Sequence, residues 1–144
     1  MPADVVEKHP YRSFKPFEHV REASDHGYYI EAIAMASMWI EVTLIELLRR
    51  KIEHGAKKGG LIDPSEMESF MEKFHSMTVS QRLRWALAFE VVDYDLYKRL
   101  NGFIKERNHV IHNKDVLKEM SANKLKSLSE DGTKCFRRVF SLLK

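Results

Sequence analysis

The amino-acid sequence predicts an all-α protein, an up-and-down bundle of about five main helices. The 144 residues include only six glycines and four prolines, too few for the many turns of a multi-stranded sheet. Helix start signals, in which a capping side chain precedes an apolar run, recur along the chain. With 44% apolar and 31% charged residues, the composition is that of one folded globular domain.

The chain is predicted to divide into an N-terminal arm, residues 1–24, and a helical bundle, residues 25–144. The arm is polar and holds three of the four prolines, which disfavour a long helix. A short helix is expected near Phe17 to Ala23. Asp25 is the expected N-cap of a long helix from about Tyr28 to His54.

A loop is predicted after the long helix, because Gly55, Gly59 and Gly60 stand there beside two lysines. Four more helices follow it. Asp63-Pro64-Ser65-Glu66 places a cap, a first-turn proline and an acid in the order that starts a helix. Thr78 and Gln81 are spaced as a capping box. The four helices are expected at about 64–75, from 79 to Phe89 or Val91, at 94–112 and at 122–143. Asp93 is the expected cap of the third and Ser121 that of the fourth, in which Gly132 is a weak point.

Charge and cysteine content exclude several classes of protein. The net charge of +3 permits a nucleic-acid partner without requiring one. Cys135 is the single cysteine, so neither an intramolecular disulfide nor a cysteine-based zinc site is possible. The first sixteen residues have no apolar core typical of a signal peptide, and acids interrupt the most apolar segment. A cytoplasmic protein without a membrane partner is therefore expected.

The densest concentration of reactive groups is Glu106-Arg107-Asn108-His109-Val110-Ile111-His112. Arg107 carries a planar fork of donors suited to phosphate, and His112 is a candidate general acid or base. Asn108 is a candidate for orienting a substrate by hydrogen bonds. His109, between them, is a candidate supporting group.

Helical geometry separates the two main groups of this motif. Arg107 continues the apolar line of Leu100, Phe103 and Ile104, whereas His112 stands five residues later, roughly 140° around a regular helix. Two explanations remain open: the helix is distorted here, or two copies of the motif assemble one site. The second explanation predicts a symmetric homodimer.

Glu41 falls within the apolar arc of the long helix, where an unpaired carboxylate is costly. It either reaches water or a helix end, or it orients a buried cation. Arg107 is the expected partner in the second case.

The spacing Arg107-Asn108-x-x-x-His112, at the end of an amphipathic helix in a small all-α chain, resembles the HEPN superfamily. Leu100 to Glu106 also looks like the helix that leads into that motif, and the resemblance covers about residues 25–143. It implies a dimerising helical bundle with metal-independent endoribonuclease activity, often in toxin–antitoxin, defence or RNA-processing settings. Arg107, Asn108 and His112 match the motif by position, and Glu41 matches a supporting acid. Lys114 stands where some toxin members have a tyrosine, so regulation through such a tyrosine is not expected.

The chemistry of RNA cleavage suits these residues. The 2′-hydroxyl beside the scissile phosphate needs a base, the leaving 5′-oxygen needs an acid, and the phosphate needs a cation. Two His112 side chains of a dimer would act as base and acid, while Arg107 holds the phosphate. No metal or other cofactor is expected, and RNA is the expected substrate, with an antitoxin or other protein as a further partner.

Two alternatives stay open. Glu72-x-x-His75 and Glu106-x-x-His109 have the spacing of di-iron carboxylate bundles, with Glu41 as a third ligand, and His109 with His112 is a possible metal-binding pair. Alternatively, the protein is a non-catalytic helical dimer that binds RNA or a partner protein. Its binding groups would be the basic residues Arg82, Arg84, Lys98, Arg99, Lys105 and Lys114, and the aromatic residues Tyr11, Phe14, Phe17, Tyr28 and Tyr29.

Overall fold

The computed structural model describes residues 16–59 and 64–144, with the backbone alone at 56–59, 64, 114 and 116. These residues form seven helices and no strand, which confirms the predicted all-α class. The helices are α1 (Pro16–Asp25), α2 (Tyr29–Gly59), α3 (Pro64–Ser76), α4 (Val79–Ala88), α5 (Tyr94–His112), α6 (Lys114–Glu119) and α7 (Ala122–Ser141). The predicted main helices correspond to α2, α3, α4, α5 and α7, while α6 was not expected.

The part of the predicted arm that the structure describes, residues 16–24, belongs to the bundle. It lies in α1, where Val20 is completely buried in the main core. Phe17 stacks on Phe136, with ring centroids 4.3 Å apart. Ser24 Oγ lies 2.8 Å from Ser129 Oγ, and Ser129 in turn donates to the Lys126 carbonyl. Helix α1 is therefore attached to α7 by both apolar packing and a buried polar link. Residues 1–15 lie outside the described residues.

The predicted N-cap at Asp25 is wrong, because Asp25 is the last residue of α1. The chain reverses through Gly27, whose φ of +82° is the left-handed conformation that glycine favours. The Gly27 N–H donates to the Ser24 carbonyl, and the Tyr28 N–H donates to the Ala23 carbonyl. This pair of bonds is the Schellman arrangement that ends a helix with glycine. Gly27 was the sequence signal for the end of α1.

The predicted loop at Gly55 is also wrong, because α2 continues as a helix of 31 residues to Gly59. Gly55 is exposed, and a single exposed glycine costs a helix only about 1 kcal/mol. The neighbouring lysines and alanine are good helix formers, so local propensity outweighs the glycine. Gly60 and Asp63 lie outside the described residues.

Three predicted N-caps are confirmed. Thr78 accepts from the Gln81 N–H while the Gln81 side chain accepts from the Thr78 N–H, which completes the capping box of α4. Asp93 accepts from the Leu96 N–H at the start of α5. Ser121 accepts from the Lys124 N–H at the start of α7. These caps depend on residues three positions apart, which is why the sequence alone predicted them.

Helices α2 and α7 pack together and run in the same direction. Ala36 of α2 lies beside Gly132 in the middle of α7. Further along both helices, Arg50 Nη1 donates to the Leu143 carbonyl over 2.7 Å. Each helix therefore advances toward the same end of the bundle.

Helix α5 runs in the opposite direction to α7. Phe103 lies against Gly132, while Asp95 at the start of α5 accepts from Arg138 near the end of α7, over 3.2 Å. Helix α5 is therefore antiparallel to α2 as well. At about 1.5 Å per residue, it carries residues 104–112 toward the end of the bundle where α2 begins.

Helix α4 covers only part of the groove between α2 and α5. It is joined to α5 by a short connection that reverses the chain, and its Arg82 forms an ion pair with Glu41 of α2. It begins only three residues before Arg82, so by the helical rise it does not extend along the first turns of α2. Helix α4 therefore does not cover the groove at the end where α5 finishes, where the next helix, α6, packs Leu117 on the main core.

Two apolar clusters hold the described helices together. The main core includes the fully buried side chains of Ile40, Leu100, Phe103 and Phe136. A smaller cluster holds α3 against α2 and centres on Phe74. Among the described helices, none combines the length and the hydropathy needed to cross a membrane.

Candidate functional site

Helix α5 brings Arg107 beyond the part of the groove that α4 covers. Val110, two turns after Phe103 on the side facing α7, is 1% exposed. Ile111, two turns after Ile104 on the adjacent side of the helix, is 40% exposed. The apolar face of α5 thus loses its cover on one side after Ile104. Arg107 lies between these positions and is half-buried.

One nitrogen of the Arg107 guanidinium is buried and has no hydrogen-bond partner among the described residues. Its Nε is inaccessible to solvent and makes no hydrogen bond in the part of the chain that the structure describes. No ion pair joins Arg107 to any described carboxylate either. A buried, unpaired donor on a permanent cation is costly, so this arrangement favours an incoming anion or a partner chain.

Asn108, His109 and His112 lie on the other side of α5. His112 is the last residue of the helix and is exposed, as is His109 one turn earlier. Asn108 is half-buried and stands four residues before His112, so these two side chains share a face. His109 is roughly 200° from Arg107 around the helix. The structure therefore brings the two histidines and Asn108 together, but not with Arg107.

The helix is not distorted at the motif. Residues Tyr94–His112 form one uninterrupted α-helix, with no positive φ among them. The offset of roughly 140° between Arg107 and His112 therefore persists. The explanation by a distorted helix is therefore wrong, and assembly of the site from two copies stays a prediction.

The partner of Glu41 is Arg82, and the prediction that Glu41 contacts Arg107 directly is wrong. Arg82 Nη1 lies 3.8 Å from Glu41 Oε1, with side chains 12% and 31% exposed. Arg82 also donates from Nε to the Phe74 carbonyl and from Nη2 to the His75 carbonyl, each over 2.7 Å. These carbonyls belong to the last turn of α3, which leaves such groups unpaired. Arg82 thus joins α2, α3 and α4, and sequence periodicity contains no signal for such a contact between helices.

The ligands of the predicted carboxylate–histidine metal site do not converge. Glu72 and His75 are exposed on α3, and Glu106 and His109 are exposed on α5. Among residues 16–59 and 64–144, no group of three or more potential ligands lies close enough to hold a metal ion.

The predicted basic surface is partly used within the fold. Arg82 is committed to the three contacts above, and Arg99 forms an exposed ion pair with Asp95 at 3.6 Å. The Lys98 ammonium lies 4.9 Å from the centre of the Tyr94 ring. Arg84 and Lys105 are exposed. The side chain of Lys114 is outside the described set.

An exposed apolar stripe on α2 was not predicted. Ile30, Ala34, Met38 and Val42 follow one another four residues apart on one side of the helix, and all are exposed. Ile30, Met38 and Val42 are 41%, 49% and 50% exposed. Their i, i+4 spacing was visible in the sequence, but it resembles a core-facing stripe. Because α2 begins at the end of the bundle where α5 finishes, Ile30 and Ile111 are exposed apolar side chains at the same end of the bundle as the motif.

A shallow cleft lies on a different side of the bundle, between α1 and α7. It has a volume of about 250 Å³ and includes no residue of the motif. Its lining carries charges of both signs: Arg21, Asp25, Glu130, Lys134 and Arg137, with Ser24 and Thr133.

Comparisons of the chain with protein-family models, curated proteins and solved structures found no match.

Proposed function

We propose that this protein is a metal-independent endoribonuclease of HEPN type, with a toxin or defence role, and that two copies assemble its site. The observation that carries the proposal is the Arg107 guanidinium, whose buried Nε has no partner among the described residues. When the half-buried side chain turns outward, a phosphate oxygen can reach that nitrogen and match the planar fork. Arg82, by contrast, is a half-buried arginine whose donors are already used by the fold.

The proposed reaction uses the 2′-hydroxyl of RNA as the nucleophile. One His112 takes its proton as the new bond to phosphorus forms, and the second His112 gives a proton to the 5′-oxygen as its bond to phosphorus breaks. Arg107 stabilises the charge that develops on the non-bridging phosphate oxygens. Asn108, on the same face as His112, orients the phosphate or a sugar hydroxyl. The products are a 2′,3′-cyclic phosphate and a free 5′-hydroxyl.

The homodimer supplies what one chain lacks. Exposed His112 and half-buried Arg107 diverge on one helix, so two copies are needed to bring an Arg107 and both His112 side chains around one phosphate. The apolar side chains of Ile30 and Ile111 near the motif offer a surface for that contact. The single-chain geometry also favours an alternative, a non-catalytic helical dimer that binds RNA or a partner protein with the same surface.

The test is cleavage of a labelled single-stranded RNA in the presence of EDTA. An unpaired nucleotide reaches the in-line geometry of 2′-hydroxyl attack more easily than a duplex does. Arg107→Ala and His112→Ala should each lower the rate at least about 100-fold. Asn108→Ala should lose less, and Arg107→Lys should recover only part of the rate.

Matched controls separate this activity from contamination and from loss of folding. His75→Ala removes another exposed histidine near the end of a helix and should leave the rate unchanged. A 2′-deoxy substitution at the cleaved nucleotide should abolish cleavage. Equal rates for wild type and His112→Ala would identify a contaminating nuclease. RNA binding without cleavage of any RNA would favour the non-catalytic dimer, and activity lost in EDTA but restored by iron or manganese would overturn the metal-independent mechanism.

A further inference from the structure

The aromatic side chains predicted to stack on RNA bases differ in how far they are exposed to solvent. Phe17 is used by the core, since it packs on Phe136 and Phe140. Tyr29 is half-buried in the first turn of α2. Tyr28 differs from both, because its side chain is 59% exposed. Tyr11 and Phe14 lie outside the described residues.

Tyr28 is paired with a second exposed ring, that of His26. The two rings are nearly parallel, with 6° between their planes and 6.5 Å between their centroids. His26 Nδ1 lies 2.7 Å from the Glu22 carbonyl, so the nitrogen that donates this bond is Nδ1–H. The other ring nitrogen, Nε2, is then an acceptor in neutral His26.

The backbone that carries both rings is held in place. The Tyr28 N–H donates to the Ala23 carbonyl over 2.8 Å, and the His26 N–H donates to the Glu22 carbonyl over 3.0 Å. Gly27 between them provides the left-handed turn. Two parallel aromatic rings on a hydrogen-bonded turn form a preorganised surface, which lowers the entropy lost when a flat ligand binds.

Topology places these rings at the same end of the bundle as the motif. Ala36 and Phe103 meet at Gly132, and from there α2 and α5 run in opposite directions. Tyr28 precedes Ala36 by eight residues, or roughly 12 Å of helical rise, and His112 follows Phe103 by nine, or roughly 13 Å. Both therefore lie at nearly the same height.

We propose that Tyr28 and His26 form a stacking platform for an unpaired base of the RNA whose phosphate Arg107 holds. This inference rests on RNA being the ligand in the proposed function. A base stacks on an aromatic ring whatever its identity, so the platform selects single strands over duplexes rather than a particular sequence. It also accounts for an exposed tyrosine that contributes nothing to the core.

The experiment measures binding of a single-stranded RNA that carries 2′-O-methyl groups throughout, so that the 2′-oxygen is no longer a nucleophile. Fluorescence anisotropy gives the Kd for wild type, Tyr28→Ala and Tyr28→Trp. Tyr28→Ala should weaken binding about 10- to 100-fold, the usual effect of removing a stacking ring, and Tyr28→Trp should retain it. His26→Ala should have a smaller effect.

Tyr94→Ala is the matched control. Tyr94 is 63% exposed and begins α5, and it lies at the opposite end of the bundle from the motif. Its removal should leave the Kd unchanged. A single abasic nucleotide placed on the platform should weaken wild-type binding and make it equal to that of Tyr28→Ala.

The outcomes distinguish failure of the platform from failure of the endoribonuclease. If wild type cleaves ordinary RNA but Tyr28→Ala and Tyr94→Ala bind the methylated RNA equally well, the platform is overturned and the proposed function stands. If no RNA is cleaved but Tyr28→Ala alone weakens binding, the platform stands and catalysis is overturned. If wild type binds no single-stranded RNA, both are overturned.

Discussion

Gly132 of α7 is in direct contact with the ring of Phe103 in α5. A Cβ atom at Gly132 would lie 2.7 Å from both Cε2 and Cζ of Phe103, and 3.2 Å from the Cβ of Ala36 in α2. Glycine therefore allows three helices to approach one another at a single point. This contact also sets the relative heights of α2 and α5, and with them the position of the motif.

The first prediction is that Gly132→Ala destabilises the protein. Alanine is the better helix former by about 1 kcal/mol, but its methyl group would overlap the Phe103 ring, which is 1% exposed. We expect the free energy of unfolding to fall by roughly 1 to 3 kcal/mol, as measured by urea denaturation. The control is Gly102→Ala, where no atom lies within 4 Å of the added Cβ and stability should rise. Equal stabilisation by both substitutions would contradict the close contact.

The second prediction concerns Arg82 and Glu41. Arg82→Ala should lower the free energy of unfolding by roughly 2 to 3 kcal/mol, because two carbonyl groups at the end of α3 lose a charged donor. Glu41→Gln should cost less than about 1 kcal/mol, since its 3.8 Å ion pair is partly exposed and screened. Arg82→Lys should be intermediate, because an ammonium cannot reproduce the fork. Thermal unfolding of the three variants tests this order; a larger loss for Glu41→Gln would refute it.

The third prediction is a pH dependence that originates at Cys135. Burial, with a smaller contribution from Asp131, raises the pKa of the Cys135 thiol from 9.0 to about 12. The protonated thiol's contribution to stability is therefore fully present below pH 9 and is lost as the pH rises toward 12. Urea denaturation at pH 8 to 11 should show wild type losing more stability than Cys135→Ala.

A labelling experiment checks the same property of Cys135. The folded protein should react slowly with iodoacetamide at pH 8, because the thiolate is the reactive form and the thiol is buried. The urea-unfolded protein should react at the ordinary rate of a free cysteine. Fast labelling of the folded protein would contradict the raised pKa.

The fourth prediction is that the dimer depends on the apolar surface near the motif. Ile30→Asp should shift the mass measured by light scattering from dimer to monomer, because it places a carboxylate in the proposed interface. An acid in the first turn favours helix α2, so loss of folding would not explain the result. Tyr94→Asp makes the same type of change in the first turn of α5 and should leave the dimer intact. A wild-type monomer at all concentrations would rule out a site assembled from two copies.

The fifth prediction is that His112→Ala inactivates wild type in a mixed dimer. The proposed base and acid are the two His112 side chains of one dimer, so a mixed dimer with a single His112 lacks one of them. Mixing wild type with an excess of His112→Ala, after mild unfolding and refolding, should therefore lower cleavage well below the share of wild-type chains. An excess of His75→Ala, treated in the same way, is the control and should cause no such loss. Cleavage in proportion to the wild-type chains would show that one His112 is enough.

The sequence by itself determined the features that depend on near neighbours. The caps Thr78, Asp93 and Ser121 were predicted because each hydrogen bond joins residues three positions apart. The place of Arg107 on the inward face of α5 followed from helical periodicity alone. The end of α1 is equally local, because its signal is Gly27, two residues after Asp25.

Only the tertiary structure decided which distant groups meet. Glu41 pairs with Arg82 rather than Arg107, and Gly132 packs on Phe103 although local propensity marks it as a weak point. The stripe from Ile30 to Val42 has the spacing of a core face, yet it is exposed because no described helix covers it. Periodicity reports which side of a helix a residue occupies. Which other helix packs against that side depends on how all the helices pack together. The hydrophobic effect has no preferred direction, and many arrangements of the helices have similar local energy.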